Sequence, residues 1–284
     1  MVPDSEKALK QFQLFMVSKK IEGCTDRTLD FYSREIRNFG RAVQKPWEDV
    51  TADDIRYFIA EKAMRNNNSK TTQDNTLRIL RSFFGWLASE EHIPKDPTRK
   101  IKKIRQEKRI KKPFTEVECE KLRNGARCQR ERAIIELLLS TGMRVSELSG
   151  LNRNDIQGDQ AIVYGKGEKE RYVYLNAKAQ VALELYLKER DDDNPALLVS
   201  EQAPHRRLQI SSIEATVREL GRELGIKDVH PHRFRRTAAT LALNRGMPID
   251  QVQQMLGHEQ IATTLIYAQA AQETVKASHK KYLA

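Results

Sequence analysis

Between His230 and Tyr267 the chain reads HPHRFRRTAATLALNRGMPIDQVQQMLGHEQIATTLIY, and no single regular element can hold it. Asn244-Arg245-Gly246 followed by Pro248 is a helix end and then a helix start, because glycine accepts the left-handed closing conformation and proline cannot continue the first helix. The Ala-rich run before that break therefore predicts one helix, Ile249–Leu256 a second that stops at Gly257, and IATTLIY a third. Val252, Met255 and Leu256 form the expected core face of the second, and Ile261, Leu265 and Ile266 that of the third. His232 and Arg235, three apart, leave one face of the first helix. His258 falls on the turn after the second, and Tyr267 near the exit of the third. The two histidines, the arginine and the tyrosine come within reach of one ligand only if these helices fold back on one another.

Those side chains suit one kind of chemistry. Arginine is a permanent planar cation that binds phosphate oxygens in pairs. Histidine moves protons near neutral pH, and tyrosine carries a nucleophilic oxygen. Together they fit attack on a phosphodiester. The overall charge agrees: a formal net charge of +11 and 31% charged residues point to a polyanionic partner. No apolar run approaches the roughly 18 residues that span a bilayer, and the opening MVPDSEKALK lacks the apolar core of a signal peptide. A soluble, cytoplasmic, nucleoid-associated protein with no membrane partner is expected. Cys24, Cys119 and Cys128 are odd in number and lack paired-ligand spacing, which argues against a disulfide framework or a zinc finger. His230, His232 and His258 lack a convincing fourth ligand for zinc, so no metal site is expected.

At 284 residues the chain has room for two ordinary domains. The first, residues 1–98, reads as four helices. Leu9, Phe12 and Phe15/Met16 recur at helical spacing from Glu6 to about Lys19. Leu29, Tyr32, Ile36 and Phe39 do so after Thr25-Asp26. Thr51 is a good N-cap for a third helix carrying Ile55, Phe58 and Ile59 inward. After a loop at residues 65–70, a long fourth helix places Leu77, Leu80, Phe83, Phe84 and Leu87 on one side. Pro94 and Pro97 close the unit.

Residues 99–113, RKIKKIRQEKRIKKP, have almost no apolar content. Read alone they are a solvated linker. Beside a phosphate-handling domain, Lys100, Lys102, Lys103, Arg105, Lys108, Arg109, Lys111 and Lys112 become a strap along a nucleic-acid backbone. In the second domain, residues 114–284, Thr115 caps a helix with Val117 and Leu122, and Glu131–Ser140 is an apolar helix broken at Thr141-Gly142. The break delivers Met143-Arg144-Val145-Ser146-Glu147. Ala161–Tyr164 and Arg171–Leu175 are β-rich runs joined by GKGEKE, a hairpin. Its tip is not followed by the residues of a nucleotide-binding P-loop. Two helices, about Ala177–Arg190 and Ser211–Leu224, follow, with Ala182, Leu185, Ile213, Val217, Leu220 and Leu224 as core. His205-Arg206-Arg207 is expected on a short edge strand, where Arg206 and Arg207 could face phosphate. Residues 268–284 read as a polar tail helix.

His232-Arg233-Phe234-Arg235, then Leu256-Gly257-His258, then Tyr267 reproduce in order the H-x-x-R, L-G-H and Tyr pattern of the tyrosine recombinases, the phage-integrase family. The second domain as a whole resembles their catalytic domain, and TGMRVSEL resembles the family's first arginine box. The resemblance implies a mainly α fold: a four-helix, SAM-like core-binding domain, then a mixed catalytic domain with a small hairpin or sheet. It places Arg144, Lys166, His232, Arg235 and His258 around the scissile phosphate, with Tyr267 as nucleophile and Glu147 as a supporting acid. Lys169 competes with Lys166 on the hairpin, and Glu147 read alone is a local ion pair with Arg144. Arg236 stands where the family commonly has histidine. The implied partner is double-stranded DNA with paired half-sites, bound by dimers and tetramers that exchange their tails in trans, and no ATP, metal or other cofactor is required. Helices beginning near residue 6 suggest the simple Xer-like layout without an arm-binding domain, serving either resolution or mobile-element integration and excision. The alternative is a catalytically silent architectural or regulatory DNA-binding protein on the same scaffold.

Overall fold

The computed structural model describes residues 6–105, 111–165 and 170–257. Lys108, Arg109, Lys166, Lys169, His258, Tyr267 and the tail lie outside the described residues. The chain divides into two compact units, residues 1–109 and 110–284.

Four helices build the first unit: α1 (Glu6–Ile21), α2 (Asp26–Val43), α3 (Ala52–Asn66) and α4 (Lys70–Ser89). Three of them start where a hydroxyl side chain accepts a backbone N–H that the first turn leaves unpaired. Thr25 and Ser69 do so for α2 and α4, and Thr51 forms a reciprocal capping box with Asp54. Helix α3 runs on to Asn66 and closes on Asn67 at φ 46°, which shortens the loop expected at residues 65–70. Asparagine tolerates that left-handed backbone better than most residues.

Phe12, Phe15, Ile36, Phe39, Ile55, Leu77, Leu80, Phe83, Phe84 and Leu87 make the core. Leu9, expected inward, is 45% exposed, because the register of α1 turns Ala8, Gln11, Phe12 and Phe15 to the interior instead. A residue outside the four helices completes the packing. Trp47, on a short 3-10 turn, is buried against Phe83 and Phe84 with ring centroids 5.1 and 6.0 Å away, and its indole N–H donates to the Ala8 carbonyl at 3.2 Å. The start of the basic segment is also less polar than its composition suggests: Ile101 and Ile104 pack against this core, and Arg81 and Arg56 donate to the carbonyls of Ile101 and Lys100.

The second unit is arranged around a buried helix. In order it contains α5 (Glu116–Asn124), α6 (Gln129–Thr141), α7 (Val145–Gly150), β1 (Ile156–Gln157), β2 (Gln160–Tyr164), β3 (Glu170–Tyr174), α8 (Ala177–Lys188), α9 (Ile210–Glu223), α10 (Pro231–Asn244) and α11 (Ile249–Leu256). Ala133, Ile134, Leu137 and Leu138 of α6 are fully buried, and α8 and α10 pack against it. Glu136 is buried among them and is held by Arg123 at 3.0 Å and Arg132 at 3.1 Å. Burying a carboxyl group is costly unless its oxygens are paired in this way.

The hairpin forms between β2 and β3, paired Ala161↔Val173 and Val163↔Arg171, and β1 adds a third antiparallel strand that the sequence did not announce. Ala161, Val163 and Val173 face the core, while Tyr164, Tyr172 and Tyr174 face solvent. Leu185, expected in the core, is 43% exposed, and Leu183 is buried in that helix instead. Helix α11 begins and ends at the residues expected and joins α10 in a small cluster of Ala239, Leu243, Val252 and Leu256. Among the described residues no helix is long and apolar enough to cross a membrane.

Candidate active site

The site begins where α6 stops. Gly142 takes φ +59°, and its N–H returns to the Leu138 carbonyl, so the chain turns sharply. A Cβ at Gly142 would sit 3.0 Å from a Leu256 methyl and 3.3 Å from the Ala238 Cβ on a left-handed backbone, so glycine suits the turn under α11. Two residues later Arg144 is the N-cap of α7. Its backbone N–H donates to Glu147 Oε2 at 2.7 Å, and its Nη1 donates to Glu147 Oε1 at 2.9 Å.

Helix α10 supplies the second arginine. Pro231 occupies its first turn, where a missing N–H costs nothing. Arg235 is 3% exposed; its Nη1 donates to the Gly142 carbonyl at 2.8 Å and its Nη2 to the Leu256 carbonyl at 2.6 Å. His232, on the same face, opens toward solvent although part of its ring is shielded. Burial and then the charges of Arg235, Arg236, Arg144 and Lys111 depress its pKa below 6.5, and burial with Arg236, His232 and Lys111 does the same for His230, against Asp228. Both imidazoles are therefore neutral at pH 7 and able to accept a proton.

Glu147 is both a local partner of Arg144 and more than that. Its side chain is 1% exposed, and Arg171 of β3 grips it from the other side, Nη1 to Oε1 at 2.6 Å and Nη2 to Oε2 at 2.8 Å. Burial raises the carboxyl pKa, but the hydrogen bonds from Arg171 and Arg144 outweigh it and leave the group below 4.5. Arg171 escaped the sequence reading. The only signal was its parity: in β3 it shares the inward face with Val173, where a charge has to find a partner.

The exit of α11 gathers these pieces. Its last carbonyls, unpaired by helix geometry, each accept a different arginine. Met255 O receives Arg171 Nε at 3.2 Å, Leu256 O receives Arg235, and Gly257 O receives Arg144 Nη2 at 3.3 Å. His258 is the next residue in the sequence.

The far side of α10 holds the end of the basic segment. Arg236 Nη1 donates to the Lys112 carbonyl at 3.0 Å, Arg233 to that of Pro113 at 3.2 Å, and the Phe114 N–H to Thr237 Oγ1 at 2.8 Å. Arg233 lies over the Phe114 ring, 4.1 Å from its centroid. Lys102, Lys103, Arg105, Lys111 and Lys112 are exposed. Of the pair expected to face phosphate, Arg206 is exposed, but Arg207 donates to the carbonyls of Ser149, Gly150 and Leu151 and to Asn152. Arg207 thereby closes the end of α7. Among the described residues no group of three His, Cys, Asp or Glu side chains could hold a metal ion.

Two guanidinium groups converge on one bend, with a neutral imidazole on the helix that carries one of them. Planar cations of this kind suit the oxygens of a phosphate. A model of the phage integrase family matches residues 100–274, and one of the phage integrase N-terminal SAM-like domain matches residues 9–93. The chain belongs to the phage integrase family. Among its relatives, the tyrosine recombinase XerC of Bacillus licheniformis is 31% identical over 276 residues, spanning 90% of each chain. The crystal structure of XerA recombinase is similar with a TM-score of 0.55 at 27% identity, covering 96% of this chain and 98% of that one. A lambda integrase dimer bound to a COC′ core site shares the fold, with a TM-score of 0.77 at 17% identity over 93% of this chain and 77% of that one.

Proposed function

We propose that this protein is a site-specific DNA recombinase that cuts and rejoins DNA through a 3′-phosphotyrosyl intermediate on Tyr267. The observation that carries the reading is the anchoring of Arg144 and Arg235 on consecutive carbonyls at the bend that leads into His258. Attack on a phosphodiester adds negative charge to the non-bridging oxygens, and two preorganised guanidinium groups stabilise it without a metal. Tyrosine, with an ordinary pKa of about 10, is protonated at neutral pH. His232 takes the phenol proton as the Tyr267 oxygen bonds to phosphorus, the bond to the 5′ oxygen breaks, and Lys166 protonates that leaving oxygen, with Lys169 the competing donor. His258 donates to the phosphate. The aryl ester retains the energy of the broken strand, so rejoining requires no ATP.

In this reading residues 1–98 and the basic segment 99–113 hold the duplex, and residues 114–284 do the chemistry. Joining two duplexes breaks four strands, and one nucleophile per chain then calls for four protomers on paired half-sites, linked by residues 268–284 in trans. Incubation with a nicked duplex, carrying a site selected by the protein from random-sequence DNA, is expected to trap a covalent adduct with the wild type and none with Tyr267→Phe. The adduct is expected to form equally in EDTA. Tight binding with no wild-type adduct would instead establish the silent DNA-binding protein.

A further inference from the structure

We propose that Arg171 is a positioning residue of this site: it fixes Arg144 through Glu147 and, in the same grip, sets the bend that leads into His258. The inference rests on the recombinase reading and deepens it. Arg171 does not bind phosphate itself, because its two Nη atoms donate to Glu147 at 2.6 and 2.8 Å, and its Nε donates to the Met255 carbonyl at 3.2 Å. Its side chain is only 11% exposed. The guanidinium plane thus spans two elements at once, α7 through the carboxylate and α11 through its end carbonyl. A planar fork can do this; a lysine ammonium, a point charge on a flexible stem, cannot hold both oxygens and the carbonyl in fixed geometry.

Two further features join Arg171 to the chemistry. It lies on β3, two residues after Lys169 and five after Lys166 in the sequence, and pairs in register with Val163 of β2. Its aliphatic stem lies beneath the bend: a Cβ at Gly257 would stand 2.8 Å from Arg171 Cδ, and Gly257 takes φ +63°. The bend therefore rests on Arg171 from below while Arg144 and Arg235 hang from carbonyls beside it. Loss of the fork frees Glu147 to follow Arg144 and lets the bend settle, and a displacement of about 1 Å in such a site can cost about 100-fold in rate.

The test separates positioning from binding. On the nicked duplex selected by the wild type, Arg171→Met is expected to bind within about threefold of wild type and to form the phosphotyrosyl adduct about 100-fold more slowly. Arg171→Lys is expected to fall between the two. Gly257→Ala, which displaces Arg171 from the other side, is expected to slow the same step, and the double variant to be no slower than the slower single one, as coupled sites require. Should Arg171→Met fail to fold in a thermal melt, Arg171→Lys and Gly257→Ala carry the experiment. Wild-type adduct rates in the folded variants, or a slowing matched by an equal loss of DNA affinity, overturn the proposal and leave the recombinase reading intact. No adduct from the wild type overturns both.

Discussion

At the scale of single residues, the site is a set of charges whose values depend on their neighbours. Glu147 is buried between two arginines, with a pKa below its ordinary 4.5. Its contribution is complete above that ordinary value and is lost as pH falls through the lowered one, because the unfolded chain takes up the proton first. Glu147→Ala is expected to cost about 3 to 5 kcal/mol at pH 7 by leaving two guanidinium groups without their shared partner. Urea unfolding should show that deficit shrinking as pH drops below 4.5. His232 has the opposite exposure to charge. Arg235, Arg236, Arg144 and Lys111 all disfavour its protonated form. Removing one of them in Arg236→Gln is expected to raise its pKa, so the acid limb of the adduct-formation rate should move to higher pH. An unmoved limb would mean that another group is the base.

At the scale of elements, local signals were legible and distant ones were not. Thr25, Thr51 and Thr115 announce helix starts because a hydroxyl at an N-cap acts within three residues, and α11 was readable to its last residue because Pro248 and Gly257 bracket it. The hairpin was visible in its β-branched and aromatic runs, whereas β1 has two residues and no pattern of its own. Trp47 and Arg171 were missed for one reason: their partners, Phe83 and Glu147, are far away in sequence, and nothing near either residue points to them. Leu9 and Leu185 show the converse, apolar residues at plausible spacing that a small shift of register leaves outside. The basic segment was read as charge, and its described ends prove to be anchored, Ile101 and Ile104 on one core and Lys112 to Phe114 on α10. Its exposed cations remain available to a backbone. Replacing Lys102, Lys103, Lys111 and Lys112 together with Gln is expected to flatten the slope of log K against log salt concentration by about 3 to 4. A slope unchanged in titrations from low to moderate salt would remove the segment from the DNA contact.

At the scale of the whole molecule, the proposed reaction is collective, and residues 268–284 are its proposed link between protomers. A chain ending at Ala268 is expected to occupy a single half-site within about threefold of the full chain. On a duplex with paired half-sites it should lose on the order of 100-fold in apparent affinity, the advantage that tethering gives the second binding event. Gel-shift titrations on the two duplexes measure both, and equal affinity loss on each would sink the linking role. The bend after α11 has a collective character of its own. Three cations carried by α7, β3 and α10 each donate to a different one of three neighbouring peptide oxygens. A shift of that short arc of chain therefore strains all three contacts at once, so a disturbance arriving through any one of those elements is felt by the other two.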